Sequence, residues 1–362
     1  GFSCHRGFPL LAAMKPFFLV AWILLAGLPV TAPAGRKSLA EQLKASPHRL
    51  VHETYHNNNW ELFTRNADGS GERNLTNTPE VNELYPQVSP DGKRICFLVD
   101  TGRGRDTVRS LWLMNSDGTG RKKISDYARQ PCWTADSDRL LWLPQEYKKW
   151  SVTDYFSKGL MYYDLRSGKS TPHPNSAKMH HLYNPTFSAN GKWIASTVHA
   201  GMGFKHAIVL IEADGNKIIN LGISGCRPCL SPVGNHIAWG SGDHSIEVAE
   251  IDLDSDHPKV GKRSVIIRDK VNKIYHVDWS PGGKFVSFSR GPKGKGDLSK
   301  PGTYQSAREI VGVFADKWDI YAVSTSGKKE VDLQKTSSAA DFLRLSKDGR
   351  SNKESDWVRL SK

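Results

Sequence analysis

The chain lacks an apolar run long enough to cross a bilayer. Its best candidate, Phe17 to Val30, spans 14 residues and contains Pro29, whereas a spanning helix needs about 20 apolar residues. Cysteine is scarce as well, with 5 in 362 residues. Cys226-x-x-Cys229 has no second pair at similar spacing, which a zinc site of that type requires. Buried free thiols at Cys96, Cys132, Cys226 and Cys229 are therefore expected ahead of a disulfide, and a redox or zinc role ranks last. Gly222-Ile223-Ser224-Gly225 is not a G-x-S-x-G nucleophile turn and no hydrolase domain follows it, which argues against a peptidase. The Asp-bearing turns lack the ligand spacing and terminal Glu of a calcium loop. Acidic residues are outnumbered, 37 against 50 Lys and Arg, for a formal net charge of +13.

The apolar run has the surroundings of an export signal. Lys15 precedes it and Ala32-Pro33-Ala34 closes it, an A-x-A cleavage pattern ahead of Gly35. Met14 to Ala34 reads as a secretory signal peptide, with Gly1 to Ala13 upstream of the translation start, so residues 1–34 stand outside the fold. The mature chain is then expected in the periplasm or outside the cell, as a monomer without a transmembrane anchor. Loss of Arg6 and Lys15 with the leader lowers the charge from +13 to +11. A secreted chain this basic suits an anionic cell-envelope polymer or headgroups rather than nucleic acid. Its scattered Lys and Arg equally describe a merely soluble basic surface.

What the sequence has in abundance is repetition. Tyr275 to Phe288 reads Y-H-V-D-W-S-P-G-G-K-F-V-S-F, strand residues on either side of a Ser-Pro-Gly-Gly turn. Related stretches run from Pro86 to Phe97, Pro131 to Trp142, Pro185 to Ala195 and Pro228 to Trp239. Aligned on Val88, Trp133, Phe187, Leu230 and Trp279, they are 45, 54, 43 and 49 residues apart. That is the period of a four-stranded propeller blade. A second repeat, Asn66-Ala67-Asp68-Gly69-Ser70-Gly71, returns from Asn115, Asp164 and Glu212 at steps of 49, 49 and 48. Looser copies lie at Asp252 to Asp256 and Ser324 to Gly327. Each closes the two outer strands of a blade.

The first outer turn has no inner strand ahead of it, and Glu354-Ser355-Asp356-Trp357-Val358 copies Val277-Asp278-Trp279 with no blade of its own. The two orphans complete one another. The expected fold is therefore all-β, a six-bladed propeller of four-stranded antiparallel blades over residues 48–362, closed by its C-terminal strand. Residues 35–47 form a linker with a short helix, since Ser38-Leu39-Ala40-Glu41 is a capping box and Leu39 and Leu43 share a face. Trp133, Trp142, Trp239 and Trp279 read as packed blade faces.

Ser89-Pro90-Asp91-Gly92-Lys93, Ser280-Pro281-Gly282-Gly283-Lys284 and Asn115-Ser116-Asp117-Gly118-Thr119-Gly120 resemble the repeats of the TolB family, over roughly Arg49 to Lys362. The resemblance is to the propeller half alone, because no α/β domain is read ahead of it. It implies a binding or scaffold protein, and the same repeat also serves as the non-catalytic propeller of some peptidases.

Insertions and unusual residues concentrate on one face, where the lead-ins to the inner strands and the second-to-third strand loops meet. The long loops expected there are Asp100 to Arg109, Pro144 to Lys158, Val198 to Lys205 and Ser289 to Val313. Tyr85, Gln130, His181 to Asn184, Arg227, His276 and Glu354 should ring the channel mouth, joined by His199, His206, Asp243 and His244. The candidate binding set is thus His181, Arg227, His276, His199, His206, Asp243 and His244. If a divalent metal is the cofactor, His181 and His276 are its first candidate ligands; isolated histidines at a wet mouth also need no ligand. Gly291 to Ala307, with Lys293, Lys295 and Lys300, reads as a basic loop over the mouth, and Glu309 to Val313 as the return to the blade. The leading expectation is a partner-binding face for a protein or anionic polymer. The alternative is a metal-assisted lyase or hydrolase of acidic oligosaccharides.

Overall fold

A computed structural model describes residues 37–153, 155–292, 317–326, 330–335 and 341–360. The expected leader, Met14 to Ala34, the Lys293-to-Lys300 stretch and Glu309 to Val313 lie outside the described residues. Six antiparallel sheets carry the fold, each with its strands in sequence order from the channel outward except at the seam. Blade one takes its inner strand, Ser351–Val358, from the far end of the chain; it pairs with Arg49–His56, followed by Asn59–Asn66 and Arg73–Asn74. The inner strands of blades two to six are Asn82–Val88, Ala128–Trp133, Leu182–Phe187, Cys226–Leu230 and Asn272–Trp279.

The repeated turn holds itself together. The Ser89 hydroxyl donates to Asp91 at 2.6 Å, the Lys93 amide donates to the same carboxylate at 3.0 Å, and the Arg94 amide donates back to Ser89 at 3.0 Å. Thr134 with Asp136 and Ser188 with Asn190 repeat the arrangement. Gly92 at its tip has φ of 74°, and a Cβ there would lie 2.1 Å from the Arg359 carbonyl oxygen, so only glycine lets this turn meet the closing strand. Between blades, indoles act as staples. Trp133 Nε1 donates to the Gln87 carbonyl and Trp279 Nε1 to that of Cys229, each at 2.9 Å. Trp133, Trp142, Trp239 and Trp279 are all buried, as expected of blade faces.

The short helix, Leu39–Lys44, carries its reciprocal cap between Ser38 and Glu41 and buries Leu39 and Leu43. These pack with Leu50 and Trp357 of blade one and with Phe285, Ile320 and Leu345 around blade six. The helix thus plugs the closure seam, and the two leucines contribute about 1.5–3 kcal/mol each. Across the same seam Arg65 pairs with Glu72 and Asp348, and Arg350 bonds both acids as well.

Two expectations about connections change. Val198 to Lys205 is not a long loop: the strands Trp193–Gly201 and Phe204–Glu212 run through it and meet in a tight hairpin. In blade six the chain leaves its third strand, Asp319–Ser324, and first adds Val331–Asp332 parallel to the outer strand of blade five. Only then does it return as Phe342–Arg344. Ser324 to Gly327 therefore does not close the two outer strands as expected: it lacks the Asp-Gly of the other turns, and pairing across blades replaces the hairpin.

Candidate functional site

Each inner strand carries a β-bulge at the same place. Register slips fall between Leu84 and Gln87, Arg129 and Cys132, Tyr183 and Thr186, Cys226 and Cys229, and Tyr275 and Asp278, with the counterpart in blade one opposite Val51 and Glu53. At the bulge Tyr85, Asn184, Arg227, His276 and Glu354 adopt φ of 49–58°. Left-handed backbone costs non-glycine residues about 1–3 kcal/mol each. Because it recurs in five blades with five different side chains, the strain belongs to the architecture. It aims these residues, with Gln130 from blade three, into the channel.

The resulting ring is buried and polar. The Glu354 carboxylate lies 2.8 Å from His276 Nε2 and 3.5 Å from Arg227. Opposite, Asn184 donates to the Tyr85 hydroxyl at 2.8 Å, and the Asn184 amide meets Gln130 at 3.4 Å. Behind the ring a fully buried Lys353 lies 3.7 Å from Glu53, which also accepts the Tyr85 amide at 3.0 Å. Burial lifts both Glu53 and Glu354 to about 7, with Lys353 opposing the rise for Glu53 and Arg227 with Lys353 opposing it for Glu354.

Two residues further along each inner strand lies a second ring, made of Gln87, Cys132, Thr186, Cys229, Asp278 and Asp356. It lines a cavity of about 270 Å³ at the narrow end of the channel. Asp278 and Asp356, spotted in the sequence as an echo, face each other here. Burial raises both carboxyls; Asp278 goes well above its ordinary value, with the neighbouring Asp356 adding to the rise, while the hydrogen bond to Asp278 holds Asp356 down. The Cys229 thiol donates to Asp278 at 3.1 Å. All four described cysteines are free, and burial pushes the Cys96, Cys132 and Cys229 thiols up, away from reactive thiolate.

The wide mouth holds the remaining candidates in two groups. His244 Nδ1 donates to the carbonyls of Asp269 and Asn272 at 2.8 and 2.9 Å, so it clamps the lead-in to blade six. Beside it Asp243 pairs with Lys273 at 2.8 Å and accepts from the Tyr275 hydroxyl. Burial raises this carboxyl, but those two hydrogen bonds and the charges of Lys273 and His244 outweigh it and leave it lowered. Tyr275 stacks under Arg227 at 5.4 Å, which joins this group to the channel ring.

The other group sits over blades three and four. His181 Nε2 meets Glu146 at 2.9 Å and His180 Nε2 meets the other oxygen of the same carboxylate at 2.7 Å. Tyr155 lies against His181 and, at 4.5 Å between ring centroids, against His199. His206 reaches the Tyr183 hydroxyl at 3.2 Å, and burial together with His199 lowers its pKa. The expected metal ligands separate, since His181 answers to Glu146 and His276 to Glu354. Among the described residues, the ligand atoms that gather within 4.8 Å are those of Glu146, His180 and His181. Glu146, His180 and Tyr155 were not singled out in the sequence, although Glu146 and Tyr155 fall in the long Pro144-to-Lys158 loop. Arg109 and Arg129 flank Trp150 of that loop at 4.3 and 5.2 Å, which draws it across the mouth.

These features define a six-bladed TolB-like propeller with a polar, charge-paired channel. Solved structures agree at the level of fold. TolB from Acinetobacter baumannii superimposes with a TM-score of 0.58 at 14% identity, covering 86% of this chain and 66% of that one. Kuenenia stuttgartiensis hydrazine synthase gives 0.56 at 12% identity, covering 89% of this chain and 48% of that one. The chain therefore spans just under two thirds of the first and about half of the second. No family model matches the chain, and no curated protein does. Among the described residues no helix is long and apolar enough to cross a membrane.

Proposed function

We propose that the chain is an exported binding module that takes an anionic cell-envelope polymer on its wide-mouth face. The observation that supports this reading is the fate of the acids there. Glu146, Asp243, Asp269 and Glu354 are each bonded to a histidine, lysine or arginine of the protein itself. Exposed around them are Lys148, Lys158, Lys205 and the 52% exposed Tyr147, while the exposed Asp106 of the Asp100-to-Arg109 loop is itself paired with Lys149 at 2.9 Å. A basic, aromatic rim over internally neutralised acids attracts polyanions and offers rings for stacking on sugar faces. Export rests on the Met14-to-Ala34 leader, and a protein partner with an acidic segment would use the same rim.

A labelled polyuronate titrated into the purified chain tests the reading. Binding should weaken at least tenfold between 50 and 300 mM salt, values on the order of a Debye-length change from about 14 to 6 Å. The triple variant Lys148→Glu, Lys158→Glu, Lys205→Glu should lose about tenfold or more. Binding that ignores both salt and charge reversal would overturn it, and an acidic polypeptide that binds where the polyuronate does not would reassign the partner. The second reading, an enzyme acting on acidic oligosaccharides, draws support from Glu146, His180 and His181 beside Tyr155 on the same face.

A further inference from the structure

We propose that Glu146, His180 and His181 form a binding site for one divalent transition-metal ion, with zinc the best chemical match. The hydrogen bonding of His181 carries the argument. Its Nδ1 faces the carbonyls of His199 and Ala200 at 3.1 and 3.0 Å, so that nitrogen bears a proton. Its Nε2 is turned to Glu146 at 2.9 Å. A ring in this tautomer turns its Nε2 lone pair toward the carboxylate, the disposition of a metal ligand. His180 meets the same carboxylate, and its ring is stacked on that of His181 with centroids 3.9 Å apart and planes 23° apart. One cation between the two Nε2 atoms and the carboxylate would be held by all three groups at once.

The nitrogen-rich donor set selects the ion class. Two imidazoles and a carboxylate suit zinc and its neighbours, while calcium and magnesium prefer oxygen throughout. Tetrahedral ligands about 2.0–2.1 Å from zinc lie roughly 3.3 Å from each other, so the observed 2.7 and 2.9 Å spacings need to open by only a few tenths of an ångström. The carbonyls on Nδ1 are the outer partners that metal-bound histidines ordinarily keep. Three protein ligands leave a fourth position for water or substrate, and all three residues are partly open to solvent.

The backbone around the site is pinned from four segments. The Glu146 amide donates to the Phe156 carbonyl at 3.1 Å and the His181 amide to that of Ser157 at 2.8 Å. Gly201 closes the remaining side: a Cβ there would lie 2.3 Å from the His180 carbonyl oxygen and 2.8 Å from the His181 Cβ. The tight hairpin that replaced the expected loop is thus what presses carbonyls onto His181.

The test is metal content and titration of the purified chain, with zinc chloride as the probe and cobalt as a spectroscopic substitute. The expected result is one zinc per chain, held micromolar or tighter, and a cobalt spectrum of four-coordinate intensity. His180→Ala with His181→Ala should weaken zinc about 100-fold or more, and the near-isosteric Glu146→Gln about tenfold or more, while His257→Gln, at an exposed histidine outside the site, leaves zinc binding unchanged. Glu146→Gln keeps the test open should the double variant fail to fold. Absence of stoichiometric zinc on the folded parent chain overturns the proposal, as does stoichiometric zinc that survives Glu146→Gln and the double variant. The site does not rest on polymer binding: a chain that binds polyuronate but no zinc sinks this proposal alone.

Discussion

The two ends of the channel are built from the same six strands, two residues apart, yet they treat charge in opposite ways. Toward the wide mouth, Glu354 shares a strand with Asp356 and His276 with Asp278, but there acid meets base, and Arg227, His276 and Glu354 neutralise one another. At the narrow end Asp278 and Asp356 meet each other, with the thiol of Cys229 as neighbour and no basic group as counter-ion, and burial raises both carboxyls. A propeller supplies positions facing the axis in every blade, and sequence alone decides whether a ring pairs or frustrates its charges. Burial raises the acids of both rings, but Arg227 and Lys353 oppose the rise at Glu354, whereas no basic group offsets it at Asp278 and Asp356, so the lower ring should cost more stability at neutral pH.

The largest test of this contrast is Glu354→Ala. It strands Arg227 and His276 in a buried channel, and breaking a buried pair costs about 3–5 kcal/mol; denaturant midpoints against the parent chain read the loss. Next comes the staple that both ends share. Trp279→Phe removes the indole bond to the Cys229 carbonyl and should cost about 2 kcal/mol in the same assay. Asp278→Asn should act in the opposite direction, gaining on the order of 1 kcal/mol at pH 8 by relieving a buried like-charged pair. The sign follows from proton binding. Both carboxyls are raised in the folded chain, so the folded state binds more protons than the unfolded one and stability falls as pH rises from about 4 through the folded values. The advantage of Asp278→Asn should thus vanish near pH 3 and grow with pH in melting curves. The smallest effect belongs to Lys148, Lys158 and Lys205, which are exposed. Their reversal should alter stability by no more than about 0.5 kcal/mol each, so any loss of polymer binding reports on the face itself.

The architecture was legible because the turn chemistry is local: Ser89, Asp91 and Gly92 spell their own hydrogen bonds and backbone conformation. The closure was legible for the same reason, since Asp356-Trp357 repeats Asp278-Trp279. The bulges were not, because Tyr85, Arg227 and Glu354 carry no residue preference for positive φ; only the prolines after Tyr85, Gln130, Asn184 and Arg227 hinted at a special backbone there. Nor could the sequence bring Glu146 to His180 and His181, which lie 34 and 35 positions away and meet through loop paths without periodicity. It separated scaffold from site at His276 yet joined that residue to His181, which the fold places with a different acid.

The most direct test of the claim that the wide mouth is the working face uses charge reversal on both ends. Lys93, Lys192 and Lys284 are exposed in the turns of the narrow end, as Lys148, Lys158 and Lys205 are at the wide mouth. Polyuronate affinity measured at one ionic strength should fall at least tenfold for the wide-mouth triple variant and stay within about twofold of the parent for the narrow-end one, since exposed charges beyond a Debye length of about 10 Å are screened. Equal losses from the two faces, or a loss confined to the narrow end, would contradict it.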